Sequence, residues 1–137
     1  MMQNPWPKDK YWCYTSRSLD EIAHILQPLI WMSDWNSDME NVWEWYEGQD
    51  HHFREWNISR RHLGVTDVTE EPVVFMAHPY PSDPDPMGIL LANGLGETIF
   101  YGKALVNSED RFDLTSTKTY EPNQAEQAAA GQSATAE

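Results

Sequence analysis

The chain has 137 residues, a length that fits one domain and can bury an apolar core without disulfide or metal cross-links. Its formal net charge of -13, from 22 acidic and 9 basic residues, repels phosphates and so argues against direct binding to nucleic acid or to an anionic membrane. Cys13 is the single cysteine, and neither an apolar leader nor a membrane-spanning run of about 18 apolar residues is seen, so we expect a cytoplasmic protein.

Charge varies strongly along the chain. Residues 34–50 carry six carboxylates and no basic residue, and residues 65–86 carry five carboxylates, again without a base. Between them, residues 51–62 form a basic strip in which arginine outnumbers glutamate. We therefore expect two acidic surfaces that flank one basic strip, and such acidic surfaces attract basic partners.

The first two predicted elements are a strand and a helix. The aromatic stretch YWCYTS at residues 11–16 suits a strand. Ser18 and Glu21 then have the spacing of a capping box, in which each side chain bonds a free backbone N–H of the first helical turn. Pro28 has no backbone N–H to donate, so the helix is expected to kink or end near Gln27. Apolar residues recur at helical steps of three and four: Leu19, Ile22, Ala23, Leu26, Leu29 and Ile30.

Three strands are predicted in the middle of the chain. NVWEWYEG at residues 41–48 and HFREWNI at residues 52–58 are expected to pair in antiparallel fashion, with Gly48 supplying the turn between them. PVVFMAH at residues 72–78 is continuously apolar, which is typical of a strand near the centre of a sheet.

A loop and a second helix are predicted next. PYPSDPDP at residues 79–86 contains four prolines, which disrupt both helices and strand pairing. Asp85 suits a helix N-cap, Pro86 suits the first helical position, and Gly96 suits the helix end. A hairpin through the Asn-Gly dipeptide of NGLG is the alternative, and the pattern favours the helix. The residues that share one helical face are Met87, Leu90, Leu91, Gly94 and Leu95.

The last two strands are predicted at TIFYGKALV (98–106) and RFDLTSTKTY (111–120), paired around NSED. Runs of strands interrupted by only two helices predict a single α+β domain over residues 1–122, with a mainly antiparallel sheet and both helices on one face. Residues 123–137 lack an apolar period, and we expect a disordered tail there.

No pattern typical of a catalytic or metal centre is found in the sequence. The five histidines match no zinc-ligand spacing, and no phosphate-binding glycine loop or nucleophile motif is present. Cys13 lies among aromatic residues on a predicted strand, where a thiol behaves as a small apolar side chain. The sequence therefore predicts a protein that is not an enzyme, with no cofactor, no metal and no catalytic residue.

The stretch DWNSDMENVWEWYEG at residues 34–48 combines five carboxylates with three tryptophans. In a strand, Trp43 and Trp45 share one face and Glu44 lies on the other. If the tryptophan face is uncovered, carboxylates and indole rings lie on one accessible surface, as is typical of a protein interface. The alternative is a solvated acidic face without a partner. The residues predicted to bind a partner are Asp34, Trp35, Asp38, Glu40, Trp43, Glu44, Trp45, Glu47 and Asp50.

The plan of the chain resembles the small acidic immunity proteins of bacterial polymorphic-toxin and contact-dependent inhibition systems. The resemblance rests on SLDEIAHIL after a first strand, ENVWEWYEG in the middle and IFYGKALV near the end, and it covers roughly residues 10–120. It implies a protein that binds one cognate toxin, often a basic nuclease, and occludes its active site or substrate groove. The resemblance carries no correspondence of individual residues.

Electrostatics indicates the same mode of action, because a carboxylate-rich strand can mimic a phosphate backbone and occupy a cationic groove. Two alternatives remain open. A phage-type acidic inhibitor of a host nucleic-acid enzyme would have the same charge. A small ligand-binding or enzymatic α+β domain would instead have a concave pocket with convergent polar groups.

Overall fold

The computed structural model describes residues 9–32, 34–40, 43–61, 71–78, 83–109 and 111–122. In this part of the chain the elements follow each other in the order strand, helix, four strands, helix and two strands. Their bounds are β1 Asp9–Cys13, α1 Leu19–Leu29, β2 Asn36–Glu40, β3 Trp43–Gln49, β4 Glu55–Arg61, β5 Val73–His78, α2 Asp85–Leu95, β6 Ile99–Val106 and β7 Phe112–Tyr120.

The strands form one sheet in the order β2-β3-β4-β5-β1-β6-β7, and every neighbouring pair is antiparallel. The apolar strand β5 lies at the centre, as predicted. Both helices pack on the same face of the sheet, where Leu26 of α1 and Leu91 of α2 share a buried core with Phe75 of β5. The predicted α+β fold with two helices on one face is therefore confirmed.

Helix α1 begins as its sequence predicts. The Ser18 hydroxyl accepts a hydrogen bond from the Glu21 amide at 3.1 Å, and the Glu21 carboxylate accepts one from the Ser18 amide at 3.4 Å. The helix ends at Leu29, two residues beyond the expected end, with Pro28 inside its last turn. Pro28 has no N–H to donate to the carbonyl of His24, four residues earlier, and the helix ends one residue after it.

Helix α2 is a helix and not the alternative hairpin. It begins one residue earlier than predicted, with Pro84 at the N-cap position, and it ends at Gly96, whose φ of 67° is the left-handed conformation that glycine adopts without strain. The helices approach closely, since a Cβ on Gly94 would collide with the Leu29 side chain. A larger residue at position 94 would require the end of the Leu29 side chain to move.

Two predictions in the middle of the chain were wrong. Strand β2 was not predicted, because NSDME has no apolar alternation; all five of its side chains are exposed. Gly48 does not form the turn between β3 and β4, since it lies inside β3 opposite Trp56. Glycine is required there because the Asp34 carbonyl and the Met32 sulfur occupy the space of a Cβ.

Residues 79–82 of the loop predicted at 79–86, and the tail predicted at residues 123–137, lie outside the described residues. Neither α1 nor α2, the helices of the described part of the chain, has the length and apolarity needed to cross a membrane.

Candidate functional site

The face of the sheet opposite the helices, here called the open face, holds the candidate site. Strand alternation and register place on it Lys10 and Trp12 of β1, Met76 of β5, and the tryptophans of β3. A second, smaller core lies on this face, where Trp12, Val74 and Ala104 are buried although neither helix packs there.

The sheet folds over its own open face. Trp43 of β3 and Phe112 of β7 are separated in the sheet by four strands, yet their ring centroids are 5.0 Å apart with an interplanar angle of 64°. Such edge-to-face contacts between aromatic rings are favourable. Because strand twist accumulates across a sheet, opposite corners of a seven-stranded sheet can approach each other over one face. The Trp43–Phe112 contact therefore converts a flat face into a concave one.

A cavity of about 600 Å³ lies in this concave face. This volume is in the range of pockets for small organic molecules. Its wall is mainly apolar and aromatic, with a few polar groups. The described residues that line it are Lys10, Trp43, Trp45, Asn57, Ser59, Met76, Ala104, Leu105, Val106 and Phe112.

Lys10 places a buried ammonium group in this wall. The residue is only 7% exposed, and its Nζ donates a hydrogen bond of 2.7 Å to the Ala104 carbonyl. Burial lowers the pKa of Lys10 from its ordinary value, and the neighbouring Asp9 carboxylate partly offsets that effect. A cation held away from water in this way favours an anionic partner.

Two further polar side chains in the wall have unmet hydrogen-bonding capacity. The Asn57 Oδ1 and Ser59 Oγ atoms are buried and have no hydrogen-bond partner among the described residues. A buried polar group without a partner costs about 1 to 3 kcal/mol. A ligand or a water molecule in the cavity would satisfy both atoms.

The structure brings together five of the nine predicted partner-binding residues. Asp38 of β2 lies opposite Trp45 of β3, and Glu40 lies opposite Trp43. Alternation along β3 places Glu47 on the same face. We call Asp38, Glu40, Trp43, Trp45 and Glu47 the tryptophan face. It forms the part of the open face next to the β2 edge.

The other four predicted residues lie apart from the tryptophan face. Trp35 packs against the helix-side core and donates from Nε1 to the Ala23 carbonyl at 2.9 Å. Glu44 faces the helix side opposite Arg60, and Asp34 is exposed before β2. Asp50 is buried, 6% exposed, so it is not available on the surface.

Asp50 has a structural role that the sequence did not indicate. Its Oδ1 accepts hydrogen bonds from the backbone amides of His52 at 2.8 Å and Arg54 at 2.9 Å. Its Oδ2 accepts one from Trp56 Nε1 at 2.9 Å. The carboxylate thus holds the turn between β3 and β4, and it anchors the largest fully buried side chain of the core.

Two exposed aromatic residues that the sequence analysis did not select lie beyond the end of α1 and in the β3–β4 turn. Trp31 is 69% exposed and Phe53 is 78% exposed, and both have left-handed φ values, 55° and 61°. Trp31 takes the position after the helix end that normally holds glycine, and the Met32 amide bonds the Gln27 carbonyl at 2.9 Å around it. In the sequence, the signal for this position is that a tryptophan follows α1 where glycine is usual.

Within the described residues, no group of three or more His, Cys, Asp and Glu side chains is placed to hold a metal ion. Cys13 is fully buried, and burial raises the pKa of its thiol to about 12, so the thiolate is strongly disfavoured at neutral pH. Comparison of the chain with models of protein families, with curated proteins and with solved structures finds no match.

Proposed function

We propose that this chain is an immunity protein that neutralises a cognate protein toxin with a basic surface, by binding it through the tryptophan face and occluding its active site or substrate groove. The observation that carries the proposal is the register of β2 and β3, which sets the carboxylates of Asp38 and Glu40 beside the rings of Trp45 and Trp43. Aromatic anchors beside charges of one sign are typical of protein interfaces.

The position of β2 supports this proposal. It forms one edge of the sheet, and no described strand pairs with its outer side. Its five side chains are exposed, and Asp38 and Glu40 project on the same face as the tryptophans. A basic partner could therefore meet both the carboxylates and the backbone hydrogen-bonding groups of the edge.

Affinity capture from the source cell tests the proposal. Tagged wild-type protein, the Asp38→Lys/Glu40→Lys variant and the Trp43→Ala/Trp45→Ala variant are compared, and bound protein is eluted with a salt gradient. The matched control is Glu109→Lys/Glu121→Lys, which reverses two exposed charges away from the β2 edge. Circular dichroism melting checks that each variant is folded.

The expected result is one basic protein, captured in near-equal amount by wild type and control and lost by both tryptophan-face variants. That protein should be toxic when expressed alone and harmless with the wild-type chain. The proposal fails if the folded tryptophan-face variants still retain the partner, or if the partner is not toxic. Loss of binding in Trp31→Ala/Phe53→Ala instead would place the interface at the other end of β3.

A further inference from the structure

The charge of the open-face cavity is opposite to that of the chain. Among the described residues that line it, Lys10 is the one charged side chain, and none of them is acidic, although the chain has 22 acidic residues. The ammonium donates one hydrogen bond, to the Ala104 carbonyl, and has no other acceptor among the described residues. A ligand with an anionic oxygen would supply a further acceptor and would add to the partial countercharge that Asp9 provides.

The polar groups lie at two ends of an apolar floor. Tyr11 pairs with Phe75, so Lys10 lies opposite Met76, and Met76 in turn pairs with Asn57. Lys10 and Asn57 are therefore two strand spacings apart, roughly 10 Å, with the Met76 side chain between them. Ser59 lies two residues along β4 from Asn57 and on the same face.

The second polar end also restricts the ligand. Asn57 Oδ1 and Ser59 Oγ are buried and have no partner in the part of the chain that the structure describes, and Ser59 is only 7% exposed. A hydroxyl group can both donate and accept, so it satisfies these atoms whichever way the Asn57 amide is oriented. Between the two ends, the aromatic and aliphatic wall favours an apolar, preferably planar, middle.

We propose that the cavity binds a small organic acid that has a carboxylate at one end, an apolar ring in the middle and a hydroxyl at the other end. The carboxylate pairs with the Lys10 ammonium and the hydroxyl bonds the Asn57 and Ser59 side chains. This binding site is a second function of the open face and does not rest on toxin neutralisation.

Isothermal titration calorimetry with three matched probes tests the proposal on the full chain. The probes are 4-hydroxyphenylacetate, its amide 4-hydroxyphenylacetamide, and phenylacetate, which lacks the hydroxyl. The acid with the hydroxyl should bind saturably at one site, about tenfold more tightly than the neutral amide, because a charge-assisted hydrogen bond is lost with the amide. Phenylacetate should bind several-fold more weakly than the hydroxylated acid.

Variants assign each end of the ligand. In Lys10→Met the acid and the amide should bind equally, and in Asn57→Ala/Ser59→Ala the two acids should bind equally. Lys103→Met, an exposed lysine on β6, is the control and should keep all preferences of the wild type. Amide chemical-shift changes in two-dimensional NMR spectra should lie on β1, β4 and β5.

Equal binding of acid and amide to the wild type would overturn the proposal, and this comparison needs no variant to fold. A retained preference for the acid in folded Lys10→Met would also overturn it, as would shift changes centred on the helices. Because none of these probes involves a toxin, their failure leaves the proposed immunity function unaffected, and a missing toxin partner leaves this site unaffected.

Discussion

The indole ring of Trp43 and the phenyl ring of Phe112 meet edge to face with their centroids 5.0 Å apart, although β4, β5, β1 and β6 separate their strands in the sheet. This contact closes the sheet over its open face and forms part of the wall of the cavity. Both residues are half-buried, and neither belongs to the main core. The pair connects β3, next to one edge of the sheet, with β7 at the other edge.

A double-mutant cycle measures this closure. Replacing Trp43 and Phe112 by Ala, singly and together, should give a coupling free energy of about 1 kcal/mol in urea unfolding, as is typical of aromatic pairs in contact. A second cycle with Trp43 and Phe100 is the control. Phe100 stacks on Trp12 and not on Trp43, so the losses in unfolding free energy of the two single variants should add up to the loss of the double variant. Equal coupling in both cycles would contradict a specific contact.

The buried carboxylate of Asp50 should matter for stability more than for binding. Asp50→Ala leaves the amides of His52 and Arg54 and the Trp56 indole N–H without their acceptor. We expect a loss of about 2 to 3 kcal/mol in the free energy of unfolding. Asp38→Ala, an exposed carboxylate on β2, should change it by less than about 0.5 kcal/mol. Similar small losses for both variants would show that the turn holds without Asp50.

Trp31 should be strained at its position. Its φ of 55° is adopted easily by glycine and costs other residues roughly 1 kcal/mol, and its exposed ring contributes little burial. Trp31→Gly should therefore be more stable than Trp31→Ala by about 1 kcal/mol in thermal or urea unfolding. The alanine variant controls for loss of the ring. An equal or lower stability of the glycine variant would contradict left-handed strain at this position.

The buried ammonium of Lys10 should make stability depend on alkaline pH. Burial lowers its folded-state pKa below the ordinary 10.5, so between these two pKa values the unfolded chain binds more protons and stability rises with pH. Lys10→Met, which removes the buried charge and keeps an apolar stem, should be more stable than wild type by about 1 kcal/mol at neutral pH. That advantage should shrink as the pH rises toward 10.5; a constant difference would contradict a desolvated ammonium.

The link between α2 and β7 should show the opposite pH dependence. Asp85 Oδ1 accepts hydrogen bonds from Lys118 Nζ at 2.8 Å and from the Tyr120 hydroxyl at 2.6 Å, and these bonds hold the Asp85 pKa below its ordinary 3.8. The stabilisation is fully present above pH 3.8 and is lost as the pH falls through the folded-state pKa. Asp85→Asn should therefore melt at a lower temperature than wild type at neutral pH.

The two proteins should converge in melting temperature below pH 3.8. Glu109→Gln, which neutralises another exposed carboxylate, is the control. Its melting temperature should equal that of the wild type throughout the pH range. A difference between Asp85→Asn and wild type that persists unchanged in acid would show that the ionised carboxylate is not the stabilising form.

The helices and most strands were predictable because their signals are local. The capping box of Ser18 and Glu21 and the glycine at position 96 act within one or two helical turns, and the structure contains both. Alternation along β3 likewise placed Trp43 and Trp45 on one face before any partner strand was known. These features depend on neighbours in sequence, so the amino-acid order alone specifies them.

The incorrect predictions concern residues whose structure depends on tertiary contacts. β2 has one apolar residue, Met39, and pairs with β3 along its whole length. Gly48 lies inside β3, where the Asp34 carbonyl and the Met32 sulfur leave no space for a Cβ. Asp50, counted with the exposed carboxylates, is buried because Trp56 and the turn amides bond it. For β2 and Gly48 the deciding partners are distant in sequence, whereas the partners of Asp50 lie within six residues and bond it through a turn that has no pattern of apolar periodicity.

The sequence by itself determined the α+β class, the helix ends to within two residues and the shared face of the two tryptophans, since propensity and periodicity are properties of short segments. Only the tertiary structure decided which face of the sheet the helices cover, that Trp43 meets Phe112, and that Lys10 is buried in a cavity without acidic neighbours among the described lining residues. These features follow from strand order and accumulated twist, which depend on how strands far apart in the chain pair with one another.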